Sequence, residues 1–216
     1  ESREAMEMGL RLTAHMFLTA KELSQKYGLK ISLEESPAES AARRLAKTDL
    51  LYFPEEASGT VCGQDTESVY YTNSVHLAAD APVSLVERIR KQARYHSLIE
   101  SGAITHAFVG EEKPSANSIA KLMTDTFHHT QSAQVTISPE FTYCDDCNHN
   151  ERGLLEECPN CGSENVVGET RVVGYFSKIQ NWNKSKKDGE LEARHRGHYA
   201  VETADSVPDA ERMVTA

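Results

Sequence analysis

The chain has 216 residues, of which 39% are hydrophobic and 26% are charged, and its formal net charge is -10. This composition predicts an ordered protein with one sizeable core or two small ones. An acidic chain repels nucleic-acid phosphates, so we expect no direct binding to DNA or RNA. The sequence contains no apolar run of membrane-spanning length and begins without a signal peptide, from which we expect a cytoplasmic protein with no membrane association.

Helices and strands alternate along the first 138 residues, which predicts an α/β fold. Apolar residues at helical spacing predict a first helix from Glu4 to Tyr27. The sequence begins with Glu1, has no initiator methionine and starts inside this helical pattern, so we expect a piece of a longer polypeptide. The remaining predicted elements are a strand at 29–33, a helix at 38–48, a loop at 52–68, a strand at 68–74, a helix at 85–100, a strand at 103–109 and a helix from about 115 to 129.

Four of the five cysteines form two CxxC pairs, namely Cys144 with Cys147 and Cys158 with Cys161. Two such turns can direct four thiolates at one divalent ion. Coincidental pairs, two disulfides, a redox-active pair and an iron–sulfur cluster are the alternatives. The matched spacing and the glycine after the second pair favour zinc. Four sulfurs leave no open coordination position, so we expect a structural ion that folds a segment poor in large apolar residues.

Beyond the cysteines, residues 169–177 are predicted to form one more apolar strand, with Gly174 in its interior. A lone glycine in a strand usually marks a bulge or a close approach of another backbone. Spacing alone supports nothing more specific for Gly174.

Several motifs, in the same order along the chain, resemble the C-terminal part of the anaerobic (class III) ribonucleoside-triphosphate reductases. The resemblance covers nearly the whole chain up to about residue 200, and a set of ordered motifs is far more specific than any single one. The motifs are EESPAES at 34–40, YYTNS at 70–74, SGAITH at 101–106, SPEFTYC at 138–144, the four cysteines, RVVGY at 171–175, and Trp182-Asn183 before a lysine-rich stretch.

The resemblance implies a fold and a division of the chain. The fold would be the C-terminal part of the ten-stranded α/β barrel of glycyl-radical enzymes, with a small four-cysteine zinc module. Residues 1–138 would belong to the catalytic barrel, 139–168 to the zinc module, 169–200 to the glycyl-radical loop and C-terminal segment, and 201–216 to a flexible tail.

The same resemblance implies a chemistry. Gly174 would hold a stable backbone radical, which oxidises a cysteine to a thiyl. The thiyl removes the 3′ hydrogen of a ribonucleoside triphosphate, and the 2′ hydroxyl leaves as water, giving deoxyribonucleotides for DNA synthesis under anaerobic conditions. That cysteine lies upstream of every motif above in the family, so we expect this chain to be inactive alone and interpret Cys62 as an incidental thiol.

The partners implied by the resemblance are an activating enzyme that uses an iron–sulfur cluster and S-adenosylmethionine, and a second subunit in a homodimer of the full-length protein. Two rival functions remain: another glycyl-radical enzyme of the formate-lyase type, and a zinc-ribbon binding module without chemistry. The four-cysteine module beside the glycine disfavours the first rival, and the acidic balance disfavours the second.

A phosphate-binding loop is a further hypothesis. Ser36, Ala38, Glu39 and Ser40 lie between a predicted strand and a predicted helix, where free amides and the helix dipole attract anions. An ordinary helix start, with Ser36 as the N-cap and Glu39 completing a capping box, is an equal alternative.

Overall fold

The computed structural model describes residues 2–38, 40–110, 112–172 and 174–196. These residues form a mixed α/β structure in which helices precede and flank one five-stranded sheet. The elements are α1 (Arg3–Tyr27), α2 (Ser40–Tyr52), α3 (Pro54–Ala57), α4 (Leu85–His96), β1 (Thr105–Gly110), α5 (Ala116–His129), β2 (Val135–Cys144), β3 (Asn150–Arg152), β4 (Val166–Arg171), β5 (Phe176–Lys178), a 3-10 turn (Ile179–Asn181), a π-helix (Ser185–Leu191) and α6 (Glu192–Arg196).

The sheet has the order β1-β2-β4-β5, and β3 pairs with β2 off this path. Strands β1 and β2 are parallel and are connected through α5, whereas all pairs beyond β2 are antiparallel. A parallel pair needs such a crossover, and an antiparallel pair needs only a tight turn. The sheet therefore changes along β2 from a βαβ unit to a small hairpin layer that carries the cysteines.

Two apolar clusters hold the helices against this frame. Met6 of α1 packs with Tyr95, Ile99 and Ala103, and the Tyr95 hydroxyl donates to the Met6 carbonyl at 3.1 Å. The second cluster joins α4, β1 and α5 through Leu85, Ile89, Ala107 and Leu122. The helices thus cover one side of β1 and leave the β2 end of the sheet to the cysteine segment.

Several predicted elements are confirmed. The first helix ends at Tyr27, because Gly28 adopts the left-handed conformation (φ 65°) and caps it. The helices predicted to begin near 85 and 115 are present: Ser84 Oγ accepts from the Glu87 backbone N–H at the start of α4, and Ser115 Oγ accepts from the Ser118 backbone N–H at the start of α5. The expected ten-stranded barrel stays a prediction, since the described residues contribute five strands.

The two strands predicted at 29–33 and 68–74 are wrong. Residues 29–33 lack a ladder partner among the described residues, and the next residue, Glu34, makes only an isolated parallel bridge with Ser101. Tyr70 likewise makes a single bridge with Cys62. Both segments have the composition of strands, but strand formation needs a neighbouring strand, which local sequence does not provide.

Helix boundaries also differ from the predictions. The second helix begins at Ser40 and continues to Tyr52, and the predicted loop after it contains the short α3. The fourth helix ends at His96, earlier than the predicted residue 100.

Within the described part of the chain, no helix is both long and apolar enough to cross a membrane.

Candidate functional site

The four paired cysteines converge on one point. Their sulfur atoms all lie within 4.8 Å of one another, with Cys144 Sγ 3.7 Å from Cys161 Sγ and Cys147 Sγ 3.6 Å from Cys158 Sγ. A disulfide requires about 2.05 Å, so these contacts are not disulfides. A tetrahedral ion with metal–sulfur bonds of about 2.3 Å would place its sulfurs about 3.8 Å apart. The donor set can therefore hold one tetrahedral metal ion.

Both CxxC turns have the same backbone geometry. The amide of the first cysteine donates to the carbonyl five residues later, from Cys144 to His149 and from Cys158 to Ser163, at 2.9 and 2.8 Å. The residue four positions after that cysteine donates back to its carbonyl and is left-handed, with φ of 57° at Asn148 and 72° at Gly162. The sequence indicated the glycine, but the equivalent role of Asn148 was missed, although asparagine is the usual non-glycine choice there.

Side chains connect the two turns and act on the thiols. The Asp146 carboxylate accepts from Ser163 Oγ at 2.5 Å and from the Asn165 amide at 2.7 Å. Hydrogen bonds from the Asn160 amide and the His149 backbone N–H lower the pKa of the Cys147 thiol to about 6. A lowered thiol pKa favours the thiolate, which is the form that binds a metal.

Gly174 lies in the turn between β4 and β5, not inside a strand as predicted. The apolar run breaks because Val172 N donates to the Tyr175 carbonyl at 2.9 Å and reverses the chain. Gly174 and Tyr175 are exposed, and a Cβ added to Gly174 would meet no described atom of another residue, its chain neighbours aside, within 4 Å. Packing among the described residues therefore gives no reason for glycine at this position.

The base of this turn is packed, whereas Gly174 and Tyr175 at its tip are exposed. Val172 is buried with Trp182 and Leu191 in a third apolar cluster. The Arg171 guanidinium donates to the Gly174 carbonyl at 2.7 Å and lies over the Phe176 ring at 4.9 Å from its centroid. The turn thus presents Gly174 outward from a rigid base.

The proposed phosphate loop does not begin a helix at Ser36, so the N-cap alternative for Ser36 is wrong. The chain is irregular there: Ala38 N donates to Asn73 Oδ1 at 2.9 Å, and Ser74 Oγ donates to the Ser36 carbonyl at 3.1 Å. Ser40 is the first residue of α2. Glu39 lies outside the described residues.

These contacts bring together two polar segments that are far apart in the sequence, residues 36–38 and 73–74. The Glu35 side chain, which precedes this segment, is buried, and its carboxylate lies 3.0 Å from His76 Nε2. The Ala38 amide is already engaged by Asn73, so an anion at this loop would have to use other donors.

A buried histidine lies beside these segments and was not singled out from sequence. His106 is 6% exposed, stacks on Phe108 with ring centroids 5.4 Å apart, and has no hydrogen-bond partner for either ring nitrogen among the described residues. It lines a pocket of about 40 Å³ together with Asn73, Gln92 and Glu190. Burial lowers the pKa of His106 to about 3.

This shift predicts acid sensitivity. The unfolded chain binds a proton at His106 below about pH 6.5, whereas the folded chain does so only near pH 3. The free energy of unfolding should therefore fall by up to about 1.4 kcal/mol per pH unit below pH 6.5 on account of this residue. Urea unfolding at pH 7.5 and 5.5 should show a smaller loss in His106→Phe than in the wild type. Exposed His128→Phe is the control, and equal losses in all three proteins would contradict the assignment.

Comparison with known proteins places the chain in a family. A family model described as anaerobic ribonucleoside-triphosphate reductase matches residues 1–199. The chain belongs to the anaerobic ribonucleoside-triphosphate reductase family. The match includes the four cysteines and the Gly174 turn.

Individual reductases are similar at low identity. The anaerobic ribonucleoside-triphosphate reductase of Haemophilus influenzae is 26% identical over 188 residues, covering 82% of this chain and 25% of that protein. The enzyme of bacteriophage T4 is 23% identical over 160 residues, covering 72% and 25%. The chain thus spans about a quarter of the length of these curated reductases and matches their C-terminal part.

Solved anaerobic reductases share the fold. An anaerobic ribonucleotide reductase structure superposes with a TM-score of 0.72 and 24% identity, covering 89% of this chain and 29% of that chain. The Thermotoga maritima enzyme, in complex with dATP and CTP, superposes with a TM-score of 0.68 and 23% identity, covering 86% and 28%. The α/β fold expected from the sequence is therefore confirmed.

Proposed function

We propose that this chain is the C-terminal portion of an anaerobic ribonucleoside-triphosphate reductase that converts ribonucleotides to deoxyribonucleotides, with Gly174 as the radical residue. The observation that carries the proposal is a family match that runs through an exposed glycine turn directly after a four-cysteine cluster. Glycine is the residue type that a backbone radical needs, because a Cβ on the radical carbon would crowd the flanking peptide groups of the planar centre and obstruct the approach of a cysteine thiol. The described residues leave open space around Gly174 for such an approach.

The proposed chemistry starts at the Gly174 Cα. An activating enzyme removes one hydrogen atom, and the unpaired electron spreads over the flanking amide nitrogen and carbonyl. The hydrogen bond from Arg171 to the Gly174 carbonyl supports this, since a donor at that oxygen strengthens electron withdrawal from Cα.

In the following steps, Gly174 takes a hydrogen atom from a cysteine thiol in the upstream part of the reductase. The thiyl removes the ribose 3′ hydrogen, and the 2′ hydroxyl leaves as water. The net reaction consumes two electrons, which formate or a dithiol protein must supply. Cys62 is partly buried in a bridge with Tyr70, which supports a structural role for it.

We infer that the ion held by Cys144, Cys147, Cys158 and Cys161 is Zn²⁺. Sulfur spacings of 3.6 and 3.7 Å agree with a closed tetrahedral zinc site. Such an ion supplies folding energy and no open position for substrate. Its role would be to fix the strands β2 and β4 that lead into and out of the cluster, and β4 ends at the Gly174 turn.

The nucleotide phosphates are proposed to bind at Ser36, Ala38, Glu39 and Ser40. The support is the position of this segment directly before the N-terminus of α2, where helix amides attract anions. Because Asn73 takes the Ala38 amide, the phosphates would accept hydrogen bonds from other donors of the segment. The Thermotoga maritima relative was solved with dATP and CTP bound. The further partners proposed are an S-adenosylmethionine radical activating enzyme and a second reductase subunit, in the cytoplasm.

Oxygen cleavage tests the proposal. A glycyl radical reacts with oxygen at Cα and breaks the backbone there, so brief air exposure of the anaerobically activated, complete reductase should release a fragment that begins at residue 174 or 175. Mass spectrometry of the products locates the break. Unactivated protein is the control. An intact chain after activation that yields product would contradict the site, and absence of both product and cleavage would favour a binding module without chemistry.

A further inference from the structure

Arg194 is a buried cation at the base of the Gly174 turn. It is 4% exposed, and it lies on α6, beyond the strands that carry the turn. Its Nη1 donates to the Arg171 carbonyl at 2.7 Å, and its Nη2 donates to the Val172 carbonyl at 2.7 Å. These are two consecutive carbonyls immediately before residues 173–174. One rigid, planar group therefore holds the backbone that leads into the radical turn.

The guanidinium is itself held from several sides. Glu190 pairs both with Arg194, one turn later, and with Lys186, one turn earlier, and its side chain is only 13% exposed. Burial acts to raise the pKa of Glu190, but the charges of Arg194 and Lys186 together outweigh it, so the pKa is lowered and the carboxylate stays charged. The Arg194 cation also lies 4.0 Å from the Phe108 ring centroid and 5.5 Å from that of Trp182. Its position is thus fixed by β1, the π-helix and the third apolar cluster.

The segment carrying Arg194 is seated against a different part of the molecule. Ser185 Oγ donates to the Glu67 carbonyl at 3.1 Å, and a Cβ on Gly189 would lie 2.4 Å from the Ser68 carbonyl oxygen. This close approach leaves the π-helix one position against residues 67–70. Through Arg194, the position of the turn therefore depends on the contact of the π-helix with residues 67–70 as well as on the β4–β5 hairpin.

We propose that Arg194 is a positioning residue for the radical turn. Its guanidinium donates to the Arg171 and Val172 carbonyls and thereby fixes the position of Gly174 relative to the rest of the chain. The inference rests on the proposed function of Gly174. Hydrogen-atom transfer depends steeply on the distance between the two reacting atoms, and a misplacement of about 1 Å can cost on the order of a hundredfold in rate. In this role Arg194 acts through the two backbone carbonyls that it binds and takes no part in bond breaking.

The test separates radical storage from radical use in the complete reductase. Arg194→Lys keeps the charge but cannot span two carbonyls and Glu190 together. After anaerobic activation, electron spin resonance counts radicals per chain, and the turnover number is divided by that count. We expect Arg194→Lys to lower kcat per radical by about tenfold or more, with KM for the nucleotide changed by less than about threefold.

Arg196→Lys is the matched control, because Arg196 lies on the same helix and pairs with Asp80 at 3.0 Å, away from the turn. It should leave kcat per radical unchanged. If Arg194→Lys fails to fold, Glu190→Gln decides, since it loosens the guanidinium without touching the turn and should lower kcat per radical in the same direction. Unchanged kcat per radical in the folded variant would overturn the role of Arg194. A wild-type reductase with no glycyl radical would instead overturn the proposed function.

Discussion

Replacing Gly174 by alanine is expected to abolish nucleotide reduction by the complete reductase, by at least about a million-fold, the lower end of enzymatic rate accelerations. The substitution should not damage the fold, because an added Cβ meets no described atom of another residue, its chain neighbours aside, within 4 Å. Loss of activity in a stable protein would therefore report on chemistry at Cα. Turnover of a ribonucleoside triphosphate after anaerobic activation measures the effect, with unfolding temperature measured alongside.

Gly59 provides the matched control for this substitution. It is also exposed, and a Cβ there would likewise find open space among the described residues. Gly59→Ala should retain full activity and stability. If the Gly174→Ala enzyme keeps even a tenth of wild-type turnover, the proposed radical role of Gly174 is wrong.

The second large effect is expected at the cysteines. Cys158→Ser should release the metal and destabilise residues 144–166, because a structural zinc site contributes on the order of 10 kcal/mol to a small module. Cys158 is 2% exposed. A serine hydroxyl in its place would be a weak metal ligand and could not hydrogen-bond to bulk water instead. The zinc content, measured by inductively coupled plasma mass spectrometry, should fall from about one ion per chain to near zero.

Limited proteolysis supplies a second measurement for the same variant. Cleavage within residues 145–165 should become fast in Cys158→Ser and in chelator-treated wild type. Cys62→Ser is the control, because Cys62 is the one cysteine outside the two CxxC pairs. It should retain both the metal and protease resistance. Full zinc content in Cys158→Ser would disprove the four-sulfur site.

Local motifs were predictable from the sequence and long-range contacts were not. Each CxxC turn closes within six residues, so its spacing already determines the local turn that carries its two sulfurs. The helix start at Ser84 was likewise set by a side chain three residues from its partner. In such places the residues that decide the structure are neighbours in the chain.

The secondary-structure predictions were wrong where a residue distant in the sequence determines the local conformation. Ser36 is a good helix N-cap by type, but Asn73 takes the Ala38 amide and delays the helix to Ser40. The β4–β5 segment is predicted to be one apolar strand, yet the chain reverses after Val172. The Val172 N–H donates to the Tyr175 carbonyl there, and the Val172 side chain packs against the distant Trp182 and Leu191. Propensity cannot register such contacts, which exist only after the chain has folded.

Arg194 shows the same limit for the candidate site. Nothing in the charged C-terminal sequence distinguishes Arg194 from Arg196. The two residues differ in the partners that they contact in the folded chain. In the structure, Arg194 binds the backbone carbonyls before the Gly174 turn, and Arg196 pairs with a partly exposed carboxylate. A role in positioning the turn could therefore be inferred only from the folded chain.

The most direct test of the account is electron spin resonance of the complete, anaerobically activated reductase, prepared once with ordinary glycine and once with glycine deuterated at Cα. A radical on Gly174 Cα couples to its one remaining hydrogen, so the ordinary protein should give a doublet that collapses towards a single line on deuteration and is absent in Gly174→Ala. A signal that is unchanged by deuteration, or that survives in Gly174→Ala, would contradict a glycyl radical at this position.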